Sequence, residues 1–267
     1  MKKIFFIGSG KMATAIAGGL VSAKTFQTSE MGAFDPDKNA AEAFYQTTGI
    51  RVETDSPATG ISGAEIILVA VKPQIIASAL NPYQELLKGK LIISIAAGIS
   101  IAALQEITGC QRIIRVMPNT PALVKMGASG YALSPDCTDK DEAVAQTILS
   151  SIGIALKQKE SDLDAVTALS GSGPAYVFEF IQALADGGVA EGLTRDTALM
   201  LAVQTVAGAA EMVRQTGEHP AVLKDKVTSP AGTTSRALEE LATRGFSGNV
   251  IKAVRAAATR SRELGNK

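Results

Sequence analysis

A single histidine and two cysteines in 267 residues leave little for chemistry that needs convergent imidazole or thiolate groups. A zinc site draws on several His or Cys ligands, and a His-dependent triad needs its base beside a nucleophile, so His219 alone disfavours both. Cys110 and Cys137 form no C-x-x-C pair, and two thiols cannot build a disulfide framework for a chain of this length. A reducing cytoplasm fits them as ordinary small apolar residues. Neither sign of charge dominates: 26 Lys plus Arg stand against 26 Asp plus Glu, which excludes a polycationic nucleic-acid binder. No apolar run reaches the roughly 18–20 residues that cross a bilayer, so no membrane partner is expected. The apolar residues 4–7 that follow Lys2 and Lys3 stop at Gly8, far short of the roughly 7-residue core of a signal peptide, and read as mature sequence.

What is present is a core-forming composition, 46% hydrophobic and 19% charged, long enough for two modest domains. Short runs rich in Ile, Val and Phe predict strands over 3–7, 31–34, 51–53, 65–71, 90–96, 112–117, 129–133 and 154–157. Several are continuously apolar, as expected of strands buried on both faces of a parallel sheet. Helices are predicted between them over 12–24, 39–47, 74–87, 101–107 and 140–151. This alternation is that of a Rossmann-type, doubly wound α/β domain, here residues 1–158. Beyond residue 160 the β-branched runs vanish. Helices are predicted over 161–169, 175–191, 195–215, 220–227, 234–243 and 247–264, making 159–267 an all-helical domain. Residues 197–212 carry one charge, Glu211, and 175–185 one, Glu179. Helices this apolar need burial on several sides, which about 108 residues supply poorly alone, so packing against a second copy is expected. The basic residues from Arg244 to Lys267 read as a solvated helix face.

Gly8-Ser9-Gly10-Lys11-Met12-Ala13 follows the first strand, after Ile7, and opens the first helix. The G-x-G-x-x-A spacing permits a tight turn, backbone approach to a pyrophosphate at the helix N-terminus, and close helix-to-strand packing at Ala13. Asp35 ends the second strand, where an acid accepts hydrogen bonds from the adenosine ribose and repels a 2′-phosphate; alternatively it only starts the turn at Pro36. The ribose role tilts preference toward NADH over NADPH. Ala70-Val71-Lys72-Pro73 and Ala96-Ala97-Gly98 close two further strands at the carboxyl edge, where open α/β sheets bind ligands.

These segments, together with Ser94-Ile95-Ala96-Ala97-Gly98-Ile99, Arg115-Val116-Met117-Pro118-Asn119-Thr120-Pro121 and Ala168-Leu169-Ser170-Gly171-Ser172-Gly173-Pro174-Ala175-Tyr176, resemble the pyrroline-5-carboxylate reductases. The most telling stretch is Leu223-Lys224-Asp225-Lys226-Val227-Thr228-Ser229-Pro230-Ala231-Gly232-Thr233-Thr234, with its G-x-T core. The resemblance runs over essentially the whole chain. It implies a Rossmann-type domain, a helical domain that interlocks with a partner's in a homodimer, often assembled into a ring, and hydride transfer from NADPH or NADH to 1-pyrroline-5-carboxylate, giving L-proline. It places the cofactor at Ile7, Gly8, Ser9, Gly10, Lys11, Met12, Asp35, Ala70, Val71, Lys72, Pro73, Ala97 and Asn119. It places the substrate carboxylate at Ser229, Pro230, Ala231, Gly232, Thr233 and Thr234, in a pocket to which both subunits contribute, and Thr167 near the substrate nitrogen. Asp35 departs from the Ser, Asn or Arg that many members carry.

The residue chemistry suits an imine. Its nitrogen is basic enough to take a proton during hydride transfer, whereas an alcohol dehydrogenase places a Lys or His to take the hydroxyl proton. Residues 165–180 contain no Lys, Arg or His. Two alternatives stay open on the residues: a related hydroxyacid or imine reductase, and a non-catalytic dinucleotide sensor. Local readings also compete. Thr233 and Thr234 can simply cap a helix near Ser235, Thr167 can be a buried helix contact, and His219, before Pro220, can cap a helix start.

Overall fold

The computed structural model describes residues 2–265. Eight strands form one sheet: β1 (Lys2–Ile7), β2 (Met31–Phe34), β3 (Val52–Glu53), β4 (Ala64–Val69), β5 (Leu91–Ser94), β6 (Ile113–Met117), β7 (Gly127–Leu133) and β8 (Gly153–Lys157), in the order 3-2-1-4-5-6-7-8. β1 lies between β2 and β4, with Ile4 opposite both Met31 and Ile66. Every strand lies where the apolar runs predict one, with ends shifted by a residue or two. Ile4, Phe5, Phe6 and Ile7 are all buried, because alternate residues of β1 enter two different cores. Ile4 and Phe6 join the core of α1 (Lys11–Ser22), α2 (Lys38–Thr48) and α7 (Asp139–Ser150). Phe5 and Ile7 join that of α3 (Ala58–Gly63), α4 (Ile76–Leu80), α5 (Gln84–Leu87), α6 (Ile101–Thr108) and α8 (Leu163–Val166). Each such fully buried Ile or Phe contributes about 2 kcal/mol.

Three local departures from the expected pattern have physical causes. β7 runs antiparallel to β6, although the doubly wound pattern suggested parallel strands throughout. A parallel crossover needs about a dozen residues or more, and only residues 118–126 join these two strands, so the chain turns back directly. The helix expected over 74–87 is broken into α4 and α5 by a 3₁₀ turn, Asn81–Tyr83, since Pro82 has no N–H to offer the carbonyl of Ser78. α3 was hidden by its glycines. It forms because Gly60 sits directly on the Phe5 ring, where a Cβ would come within 2.0 Å of Cε2.

After β8, α8 passes into a π turn, Thr167–Gly171, in place of the uniform helix expected over 161–169. The helices α9 (Gly173–Ala190), α10 (Arg195–Thr216), α11 (Pro220–Lys226), α12 (Thr233–Thr243) and α13 (Phe246–Gly265) follow. The chain divides into two compact units. One runs to Ser172 and includes the residues from Ala257 onward; the other is 173–256. In the first unit, the end of α13 is held by the Ser261 hydroxyl, which donates to Asp164 Oδ1 at 2.5 Å. The second unit buries little: Ala185, Ala198 and Ala202 form its core, while Phe178, Leu199, Met200, Leu201 and Val203 are exposed. Among the described residues, no helix is long and apolar enough to cross a membrane.

One ion pair fastens α7 to the sheet. Arg112, leading into β6, grips the buried Asp141 carboxylate through both Nε, at 3.0 Å, and Nη2. Asp141 also accepts from the Thr138 N–H and hydroxyl, closing a capping box. Burial pushes this carboxyl up, and is the largest single influence. The bonds from Arg112 and Thr138 together outweigh it and hold the group below the usual carboxylate range. A group depressed in the folded state adds stability above its unfolded value, and that stability is lost as pH falls through the folded value. Asp141→Asn is therefore expected to lower unfolding free energy by about 2 kcal/mol at neutral pH, with the gap to the parent closing below about pH 4. Urea titrations across pH measure this; a gap that does not change with pH would refute the ionic origin.

Candidate active site

The glycine-rich loop is built by backbone. Ala70 N–H donates to Ile7 O at 2.8 Å and Gly8 N–H to Phe34 O at 2.8 Å, so the end of β1 is stitched to both neighbours. Gly8 has φ +98°, and a Cβ there would lie 2.8 Å from the Ala70 carbonyl oxygen, a backbone atom that cannot step aside. Gly10 then precedes α1 in extended conformation, with no side chain capping the helix. The N–H groups of the first turn, from Lys11 and Met12 onward, are thus left for an outside acceptor, and the helix dipole favours an anion there. No atom comes within 4 Å of where a Gly10 Cβ would be, so the approach is open. These residues fit the pyrophosphate of a dinucleotide. Ala13 is fully buried, as close helix-to-strand packing requires.

Asp35 braces this loop, a contact that spacing alone did not reveal. Its Oδ2 accepts from Ser9 N–H at 2.8 Å and from Ser9 Oγ at 2.9 Å, and its Oδ1 accepts from Asp37 N–H at 3.0 Å. The turn-starting reading is thus realised. A carboxylate offers about four acceptor positions, so one remains for a ribose hydroxyl. Ala70 and Val71 are half-buried at the end of β4, with Val71 against the second core; Lys11, Lys72 and Ala97 are exposed.

Asn119 follows β6 and is buried. Its Oδ1 accepts from Ala128 N–H at 2.9 Å and its Nδ2 donates to Ser170 O at 3.0 Å. The amide therefore ties β7 to the π turn, spending both its ends on the scaffold. That π turn carries Thr167, whose hydroxyl donates back to Leu163 O at 2.7 Å and whose carbonyl accepts Ser172 N–H at 2.8 Å. Thr167 and Ser172 share a cavity of about 390 Å³ with Pro73, Ala97, Ala257 and Arg260. The structure thus brings Thr167 to the carboxyl edge of β4 and β5. Sequence reasoning missed Ala257 and Arg260, because α13 read as a solvated basic face; only the small residues 256–258 hint at close packing.

In the second unit, the segment from Ser229 to Thr234 forms another uncapped helix start. α12 begins at Thr233 with Gly232 as its N-terminal flank and no side-chain cap, so the threonines are not the caps that the competing reading allowed. Gly232 N–H donates to Ser229 O at 3.1 Å, and a Cβ on Gly232 would come 2.2 Å from Ser229 Oγ. Ala231 adopts φ +54°, a conformation that costs an L-residue roughly 1 kcal/mol. Pro230 and Thr233 are exposed and Thr234 half-buried. His219 caps α11, its Nδ1 accepting from Ala221 N–H at 3.2 Å, as its place before Pro220 suggested.

Known proteins were then compared with this chain. Residues 160–264 match the family model described as pyrroline-5-carboxylate reductase dimerisation, and residues 3–98 match that of NADP oxidoreductase, coenzyme F420-dependent. A pyrroline-5-carboxylate reductase of Arabidopsis thaliana is 46% identical over 264 residues, covering 98% of this chain and 95% of its own length. The chain belongs to the pyrroline-5-carboxylate reductase family. Among solved structures, the member from Coxiella burnetii superimposes with a TM-score of 0.92 at 32% identity, covering 98% of both chains. The Plasmodium falciparum member, solved with NADP bound, gives 0.88 at 36% identity, covering 99% of this chain and 98% of its own. The Rossmann-type sheet and the helical dimerisation domain are features of this family, and the chain self-associates through the latter.

The Gly8 geometry generates a direct test. Gly8→Ala forces an L-residue into positive φ and drives its Cβ against Ala70 O, which costs about 3 kcal/mol and displaces the loop. Fluorescence titration with NADPH should show affinity lowered roughly 100-fold. Parent-like affinity would remove this loop from the cofactor site.

Proposed function

We propose that this chain reduces 1-pyrroline-5-carboxylate to L-proline with NADH or NADPH, the last step of proline biosynthesis. The observation that carries this reading is the full-length identity to proteins of that name, 46% over 98% of the chain. These residues support a consistent division of labour, cofactor on 1–158 and substrate carboxylate on 159–267. When bound, the reduced nicotinamide supplies a hydride to the carbon of the C=N bond, while the ring nitrogen gains a proton and becomes a secondary amine.

The chain's own residues position rather than react. The loop of Ile7, Gly8, Ser9, Gly10, Lys11 and Met12 holds the pyrophosphate at the start of α1, and Asp35 receives the ribose. Ala70, Val71, Lys72, Pro73 and Ala97 form the carboxyl edge along which the cofactor lies. Asn119 serves this site by fixing the π turn, which presents Thr167 toward the substrate nitrogen. Ser229 and the N–H groups of Thr233 and Thr234 hold the substrate carboxylate beside the positive end of α12. No side-chain base is required, because the imine nitrogen is basic enough to take a proton from solvent water; rate enhancement comes from alignment of the reacting carbons. The exposed apolar helices support a homodimer, and a ring of such dimers and a cytoplasmic setting belong to the same reading.

Purified protein should oxidise NADH faster than NADPH in the presence of 1-pyrroline-5-carboxylate, with proline as product; the rate ratio tests Asp35, and absence of proline would refute the function. Thr167→Val is expected to lower kcat about 10-fold with cofactor affinity unchanged. Gly232→Val should displace Ser229 and raise KM for the imine by at least about 10-fold, again with cofactor affinity retained. Parent-like steady-state kinetics in either variant would take that residue out of the site.

A further inference from the structure

The sheet face carrying Phe5 and Ile7 is covered strand by strand until β8. α8 lies over β7, where a Cβ on Gly130 would come 2.8 Å from Val166 Cγ1. β8 is the next strand and the edge of the sheet. By register Ile154 pairs with Ala128 and Leu156 with Gly130, so their side chains share the face that α8 covers one strand earlier. They are nevertheless 61% and 57% exposed. On the opposite face Ala155 packs into the core under α7. The bare strip and Leu169 of the π turn, 67% exposed, frame an apolar cavity of about 410 Å³ that Val166 and Ser170 also line.

We propose that a second copy of this chain covers this strip, so that the dimer interface extends beyond the helical region onto the edge strand of the dinucleotide-binding sheet. The cavity reaches into the span that the dimerisation family model covers. Val166, Leu169 and Ser170 lie inside the 160–264 span of the dimerisation family, whereas Ile154 and Leu156 lie outside it, and one cavity joins them. The occupant is at hand in the sequence: α10 exposes Leu199, Met200, Leu201 and Val203, an apolar surface that needs such a groove. The rim is polar: Asp162 also lines the cavity, its Oδ1 accepting from the Ser161 hydroxyl at 3.2 Å, and Lys157 at the end of β8 is held by Glu142 on α7 at 2.6 Å. A bare apolar edge strand left uncovered would instead invite aggregation. The partner then presses on the π turn at Leu169 and Ser170, supplementing the hold of Asn119.

Two measurements on the full chain test this, and neither uses turnover, so their outcome is separate from that of the catalytic reading. In the first, the Leu156→Cys protein is labelled with a maleimide and compared with Tyr45→Cys, an exposed position on α2. Labelling at least about 30-fold slower at position 156 is expected of a covered strip. In the second, light scattering follows the mass of Leu156→Glu and Leu169→Glu against Tyr45→Glu. The first two should populate monomer at concentrations where the parent and the control are assembled. Equally fast labelling at the two cysteines in the assembled protein would overturn the proposal, whether or not the glutamate variants fold. Parent-like assembly of both folded glutamate variants would overturn it as well.

Discussion

A parallel sheet has no face to spare for water, and in this chain that requirement shapes nearly everything else. β1, at the heart of the sheet, has no polar position between Ile4 and Ile7, so helices must lie over both sides of it. Those helices enter from the carboxyl ends of the strands, which collects the loops after β1, β4, β5 and β6 along one edge. The same requirement explains the apolar excess of the helical unit. Three buried alanines do not make a core for helices that expose Phe178, Leu199 and Met200, and the deficit is met by association.

The site formed at that edge relies on main-chain geometry more than on reactive side chains. Gly8 is glycine because Ala70 O leaves no room, and the start of α1 is left uncapped where a side chain would ordinarily fill it. An uncapped helix start directly after β1 suits the pyrophosphate of a dinucleotide. The charged side chains nearby do structural duty. Asp35 ties down Ser9, and Glu160 accepts from both Ile101 N–H and Arg115. A reaction whose substrate brings its own basic nitrogen suits such a scaffold.

Much of this was legible in the order of residues, because each legible feature is local. Apolar runs bounded by glycine, proline or aspartate marked most of the eight strands, and Gly8-Ser9-Gly10 declared its turn through spacing alone. What stayed hidden depends on partners distant in sequence. The pair of hydrogen bonds from Ser9 to Asp35 spans 26 positions, and the hydrogen bond from Asn119 to Ser170 spans 51. Neither leaves a periodic trace. The reversal at β7 was concealed for a different reason: a buried strand looks the same in either direction, and only the shortness of the link from β6 decides. α3 was concealed because it carries two glycines, poor helix formers, of which Gly60 is required by contact with the Phe5 ring.

The placement of the last turns of α13 carries a consequence for how the molecule is made. The helical unit, 173–256, is in effect inserted into the first unit, since the residues from Ala257 onward belong with the sheet. On the ribosome the strands emerge first and can pair early. The wall that Ala257 and Arg260 give the Thr167 cavity, and the bond from Ser261 to Asp164, come only after the whole inserted segment has been synthesised. The nascent sheet therefore waits, with that cavity unwalled, until translation has passed the helices that recruit a partner. Completion of the Thr167 cavity is in this way deferred to the stage at which the chain becomes competent to pair.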